Sequence, residues 1–184
     1  RLHGEPKLER KSVLIEFTIP LDCLNPFWRE EDEQKEDIAS WVAAWEFPCE
    51  IEKDNPESMI FGYRAESVIV DCYNEGDVST GMRIRFTALG TVSNPILLNV
   101  DTEEFIQINA TMKTGDVIEI NTKYGSKGAK LIRDGVETDY FRYIDVDSTF
   151  MQLAIGDNMF RYDAASGVNS LEVSIFYSKE FLGV

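Results

Sequence analysis

The chain has a single histidine among 184 residues, and its three cysteines form no C-x-x-C pair. Structural zinc sites draw on clustered Cys and His ligands, so the spacing and the single histidine argue against a zinc module. An odd cysteine count also argues against a disulfide scaffold and for a reducing compartment. Cys72, inside the apolar run Val68–Tyr73, reads as a small buried hydrophobe. Long apolar runs are missing too. None approaches the ~18 residues a membrane helix needs, and no secretory pattern is present. Basic residues are scarce: 18 Lys and Arg face 33 Asp and Glu, for a net charge of −15. That balance opposes binding to nucleic-acid phosphates and to anionic membrane surfaces, and it favours solubility. The acidic run Glu30-Glu31-Asp32-Glu33 is expected to form a solvated loop. The chain opens Arg1-Leu-His-Gly-Glu-Pro-Lys, which reads as the middle of a longer or processed protein.

What is present is β-type patterning. Gly81–Asn121 is a series of short apolar runs separated by turn residues. The runs are Met82–Leu89, Ile96–Val100, Phe105–Asn109 and Val117–Asn121. The separators include Gly90–Pro95, Asp101-Thr102 and Thr114-Gly115-Asp116. Further strands are expected at Ser67–Tyr73, Ala129–Arg133, Glu137–Tyr143, Thr149–Leu153, Met159–Asp163 and Leu171–Tyr177. Asp134-Gly135 supplies the positive φ angles of a tight type I′ hairpin. Strands at this spacing, with no helical pattern between them, imply a mainly β fold: an antiparallel β-sandwich of the jelly-roll kind over residues 59–184.

Upstream, Lys11–Pro20 alternates Val13, Ile15, Phe17 and Ile19 with polar neighbours and reads as a strand with no hairpin partner of its own. Asn25-Pro26 marks a turn, and Pro26, Phe27 and Trp28 are expected to pack at a seam between modules. Glu33–Ala44 is the one expected helix. Asp32 is placed to cap it, and Ile38, Trp41, Val42 and Trp45 stand at i, i+3, i+4 and i+7. Pro48 ends the pattern, and residues 50–58 read as a loop. The division is therefore 1–28 for an N-terminal remnant and junction, 29–58 for helix and linker, and 59–184 for the sandwich.

The wording of the turns resembles one family. Asn74–Met82 followed by Ile84–Pro95, then Gly115–Thr122, Asp145–Phe150, Gly156–Asp163 and Leu171–Tyr177, resemble in that order the distal tail proteins of long-tailed bacteriophages and prophages. The junction Cys23-Leu-Asn-Pro26-Phe-Trp28 is similar to the end of that family's N-terminal module. The resemblance implies a virion component, synthesised in the bacterial cytoplasm, that joins tail tube to baseplate or tip through contacts with other tail proteins. It implies a hexameric ring built by an N-terminal belt, with a galectin-like or carbohydrate-binding-module-like sandwich projecting outward. Most of the belt has no counterpart here, so ring formation is expected of a longer parent.

No catalytic set is legible. His3 lies in an N-terminal stretch without a patterned partner. Asp145, Asp147 and Ser148 are oxygen ligands of the kind calcium takes, but they lack the spacing of a calcium loop. No enzyme activity, cofactor or metal site is expected. The alternative to a purely structural role is contact with cell-wall polysaccharide, for which Tyr124, Tyr140 and Tyr143 are the candidate surface aromatics.

Overall fold

In a computed structural model of the chain, residues 7–11, 14–18, 26–38, 40–43, 62–65 and 69–183 are described. The chain opens with β1 (Lys7–Lys11) and β2 (Leu14–Thr18), an antiparallel pair with Lys7 opposite Thr18 and Lys11 opposite Leu14. The strand expected at Lys11–Pro20 therefore has a hairpin partner after all. That partner is a charged stretch, KLERK, which escapes a search for apolar alternation because backbone pairing asks nothing of side-chain polarity.

Next come β3 (Trp28–Arg29), β4 (Gln34–Asp37), β5 (Ser40–Ala43) and β6 (Gly62–Ala65); β5 and β6 form a two-stranded sheet. The helix expected over Glu33–Ala44 does not form among the described residues: Gln34–Asp37 is β4 and Ser40–Ala43 is β5. The reason is an open sheet edge. β4 lies along the final long strand, with Gln34 opposite Tyr177 and Asp37 opposite Ser174. A helix there would leave that strand's N–H and C=O groups unpaired. Ile38, read as one point of a helical stripe, instead donates its N–H to the Val173 carbonyl at 2.9 Å and buries its side chain in the core. Trp45, Cys23, Cys49 and the expected loop 50–58 lie outside the described residues.

The remaining strands are β7 (Ile69–Asp71), β8 (Thr80–Ala88), β9 (Val92–Asn99), β10 (Phe105–Gln107), β11 (Thr111–Met112) and β12 (Val117–Asn121). They are followed by β13 (Gly128–Arg133), β14 (Val136–Asp139), β15 (Gln152–Leu153), β16 (Met159–Ser166), β17 (Leu171–Tyr177) and β18 (Glu180–Phe181). Seven strands form one sheet in the order β14-β13-β12-β8-β17-β4, with β15 also on β8. Five form the other, in the order β10-β9-β16-β7, with β11 also on β9. All described pairings are antiparallel, as the turn-rich spacing implied.

The core lies between these sheets. One buried row crosses the larger sheet as Leu131, Ile118, Phe86 and Val173, and the next as Ala129, Ile120, Ile84 and Ile175. The smaller sheet answers with Ile106, Leu97 and Tyr162 in one row and Phe160 beside it. Each fully buried side chain of this kind contributes about 1.5–3 kcal/mol, so the period-two pattern sets register: a one-residue slip would turn every one of them to solvent.

Two turn signals behave differently from their reading. Asn94-Pro95, taken as a turn, lies inside β9. There Asn94 has φ of +50° and the register slips by one residue against Gln107–Thr111. This is a bulge, which is where a strand tolerates a proline that cannot donate. Glu137–Tyr143 is a strand only to Asp139. The Phe141 N–H then bonds back to Asp139 Oδ1 at 3.1 Å, and Phe141–Tyr143 forms a 3-10 turn. Asp134 and Gly135 carry the positive φ values the β13–β14 hairpin required. Gly167, at φ +77°, is obligatory in a second sense, since a Cβ there would lie 2.1 Å from the Thr91 carbonyl oxygen.

Candidate functional site

A groove of about 650 Å³ runs where the segment before β3 crosses the end of the sandwich. Backbone pairing builds it. Trp28 is opposite Phe181 and Arg29 opposite Glu180, and the Glu30 N–H bonds the Lys179 carbonyl at 3.0 Å. That stitch holds Pro26 and Phe27 over the sandwich as one wall. Tyr124, in the turn after β12, and Ile155, in the turn after β15, supply apolar surface opposite. Asp77, Gln152 and Glu180 supply the polar part. The turns beneath are fixed by buried amides. Asn74 Nδ2 donates to the Val78 carbonyl at 3.1 Å, and Asn158 Nδ2 donates to the carbonyls of Ala154 and Gly156, both at 2.9 Å.

Gln152 Nε2 donates to the carbonyls of Thr122, Phe150 and Met151, at 2.8, 3.2 and 3.3 Å. Its Oε1 is buried and has no hydrogen-bond partner among the described residues. Tyr124 stands at the rim, 79% exposed, with Lys127 Nζ 5.2 Å from its ring centroid. The same ammonium is 5.3 Å from the Phe150 ring, and Phe150 lies parallel to Phe141 at 6.0 Å. Aromatic surface thus continues from the groove along the side of the sandwich.

A second concavity, about 310 Å³, lies on the outer face of the seven-stranded sheet. Alternation that buries Ile84 and Phe86 turns Arg83 and Arg85 outward, and alternation in β12 turns Glu119 and Asn121 to the same side. Register then lines up Lys130, Glu119, Arg85, Ser174 and Asp37 across five strands. Glu119 is only 6% exposed. It accepts from Arg85 at 2.6 and 2.9 Å and from Arg83 at 3.1 Å, and it pairs with Lys130 at 3.2 Å. Burial pushes its carboxyl up, but these bonds and charges outweigh burial and hold it below the ordinary glutamate value. Arg83 also reaches Glu33, whose carboxyl is likewise lowered, chiefly by that hydrogen bond. Glu33 was expected in a solvated loop; it is an ion-paired member of this face. Both guanidinium groups lie over the Phe176 ring, at 4.3 and 5.1 Å.

Tyr124, Tyr140 and Tyr143 do not form one platform. Tyr140 and Tyr143 pack on each other at 4.2 Å, half-buried against the core, while Tyr124 belongs to the groove. The structure instead joins Tyr124 to Pro26 and Phe27. Trp28 is 72% exposed and lies against Gly183, where a Cβ would meet its Nε1 at 2.6 Å. Asp145 and Ser148 oxygens serve the local turns: Asp145 accepts from Asn109 Nδ2 at 2.7 Å and from the Asp147 N–H at 2.9 Å, and Ser148 Oγ accepts from the Gln107 N–H at 3.0 Å. Cys72 is buried, and burial with the nearby Glu36 and Asp71 carboxylates pushes its thiol up to about 12. Sequence reading missed Gln152 and the Arg83–Glu119 network. The second was within reach, since the outward set of MRIRFTA is Arg83 and Arg85.

A family model described as siphovirus-type tail component, C-terminal domain, matches residues 75–181. Among solved structures, the crystal structure of SPP1 Dit (gp 19.1) protein, described as a paradigm of hub adsorption apparatus in Gram-positive infecting phages, shares the fold. Its TM-score is 0.60 at 13% identity, over 97% of this chain and 58% of that one. Phage P2 baseplate structures in the activated conformation, with Ca and with Sr, give TM-scores of 0.43 at 8% and 9% identity, over 95% of this chain and 67% of theirs. The chain thus spans 58% of the length of the SPP1 protein it matches. No curated protein sequence matches.

Proposed function

The chain belongs to the siphovirus-type tail components, with residues 75–181 as that family's C-terminal domain, and from this premise we propose that it is a docking piece that links the phage tail tube to the baseplate or tip by protein contacts, without catalysis. Family membership carries the proposal. The architecture supports it: segment 26–38 is tied into the sandwich twice, by β3 on β18 and by β4 on β17. Such a mount transmits position from a preceding module to the sandwich. Pro26, Phe27 and exposed Trp28 are the surface offered to that module, and the longer parent closes into a hexameric ring. The protein is made in the bacterial cytoplasm before entering the virion. A net charge of −15 keeps this piece off the DNA it helps deliver.

Light scattering on the full-length parent tests the ring, and incorporation into tails tests the role. A hexamer that enters tails, and loses incorporation on Trp28→Ala without loss of folding, is the expected result. A strictly monomeric parent that never joins tails would sink the proposal.

A second reading, contact with cell-wall polysaccharide, is supported by one observation: the groove combines the exposed Tyr124 ring with polar side chains of Asp77, Gln152 and Glu180.

A further inference from the structure

Resting on the docking reading, we propose that the outer face of the five-stranded sheet seats a basic, amphipathic segment of a second tail protein, one in which Lys or Arg alternates with apolar side chains. The alternation that sends Leu97, Ile106 and Phe160 into the core turns Ile96, Leu98, Phe105 and Met159 outward. Outward positions of an antiparallel sheet that faces water are normally polar. Here they are apolar along β9. Ile96, Leu98 and Val100, just past the strand end, stand two residues apart and form a ridge roughly 13 Å long. Register widens the ridge. Phe105 lies opposite Leu98, and the Val100 N–H bonds the Met159 carbonyl at 2.8 Å, which sets Met159 beside Val100. Met159 and Val100 are 41% and 37% exposed, and Ile96, Leu98 and Phe105 are half-buried. A contiguous apolar ridge of this kind on a solvent face marks an interaction surface.

Charge selects the occupant. Asp163 lies opposite Ile96 and Asp71 opposite Met159, while Asp101, Glu103 and Glu104 fill the turn from β9 to β10. Against these five carboxylates the strands of this sheet carry one basic residue, Arg161. None of the six joins an ion pair among the described residues. Asp71, Asp101 and Asp163 accept only backbone N–H groups, from Asn158, Met159 and Ala164 at 3.2, 3.0 and 2.7 Å, and keep their charge. The face of the other sheet is built differently, since Glu33, Asp37 and Glu119 are each paired there with Lys or Arg. The five-stranded sheet thus surrounds an apolar ridge with a negative field that its own chain does not compensate.

A second copy of this chain would set one acidic rim against another, which like-charge repulsion opposes. A wholly apolar segment would cover the ridge and gain nothing from the rim. A basic amphipathic segment answers both: its apolar side chains cover the ridge, and its ammonium or guanidinium groups reach the carboxylates as charge-assisted hydrogen bonds.

The test places the photoreactive residue p-benzoylphenylalanine at Met159 of the full-length parent in assembled tails, with Val136 on β14, 64% exposed, as the control position. Irradiation and peptide sequencing are expected to join Met159, at least about tenfold more than Val136, to a segment of another tail protein in which Lys or Arg alternates with apolar residues. Glu103→Lys combined with Asp163→Lys, both at exposed positions, is expected to lower that yield at least about fivefold, while Glu103→Asp with Asp163→Glu leaves it unchanged. A joined segment without basic residues, a joined second copy of this chain, or a yield that survives the charge reversal would overturn the proposal. Tails that assemble while Met159 joins nothing above the control would overturn this face and leave the docking reading standing. A parent that never enters tails would overturn both.

Discussion

Glu119→Gln isolates the charge at the centre of the sheet face while keeping its volume. Glu119 is 6% exposed and serves Arg83, Arg85 and Lys130, whose side chains are 27%, 38% and 40% exposed. A glutamine would turn an NH2 toward one of these cations and leave the rest without their anion. Hydrogen bonds to charged groups contribute about 1.5–3 kcal/mol each, and breaking a buried ion pair costs about 3–5 kcal/mol. Water reaches all three cations, so most of that is screened. A loss of about 2 kcal/mol remains, equivalent to a melting point roughly 4–8 °C lower for a domain of this size. Urea unfolding at neutral pH should show it as a lower midpoint at unchanged slope. The pH dependence has a definite sign. The Glu119 carboxyl is depressed in the folded state from an ordinary value of 4.5. Its contribution is therefore complete above the unfolded value and lost as pH falls through the folded one. The gap between wild type and variant must close as pH falls below 4.5 and through the depressed folded value. Glu137→Gln, which removes an exposed partner of Lys130, should cost under about 0.5 kcal/mol. A neutral-pH gap as small as that control's, or a gap that persists in acid, would refute the reasoning.

Three further outcomes are expected. Gly167→Ala should destabilise the chain by about 2 kcal/mol or more, because it combines positive φ with a Cβ placed on the Thr91 carbonyl; calorimetry showing no change would contradict this. Tyr177→Phe removes a hydroxyl that donates to the Tyr73 carbonyl at 3.0 Å and should cost about 1 kcal/mol in urea. Cys72, buried and pushed up to about 12, should resist iodoacetamide at mildly alkaline pH until denaturant is added, as read by peptide mass spectrometry of that cysteine. Fast labelling of the folded chain would show that the thiol is reachable.

What sequence revealed follows from what each element needs of its own residues. β8, β12 and β17 bury one face completely, so their alternation was visible in MRIRFTA, VIEIN and LEVSIFY. β4 was misread because QKED is an edge strand whose stability comes from the open backbone of β17, a partner far along the chain. Ile38, Trp41 and Val42 fell at helical spacing by coincidence. Asn94-Pro95 was misread because the same residues that make turns also make bulges. The groove was illegible for a simpler reason. Phe27, Tyr124 and Gln152 come from three distant segments: the Gln152–Thr122 bond brings the last two together, and the β3–β18 pairing brings Phe27 to them.

That pairing has one more consequence. With Trp28 opposite Phe181, the chain enters and leaves the sandwich at a single point. A domain whose two ends share a doorway can be inserted into a surface loop of another protein, or exchanged for a different sandwich, without moving any strand of the host. The β3–β18 stitch makes this fold a removable cartridge, with its cut points at residues 28 and 181.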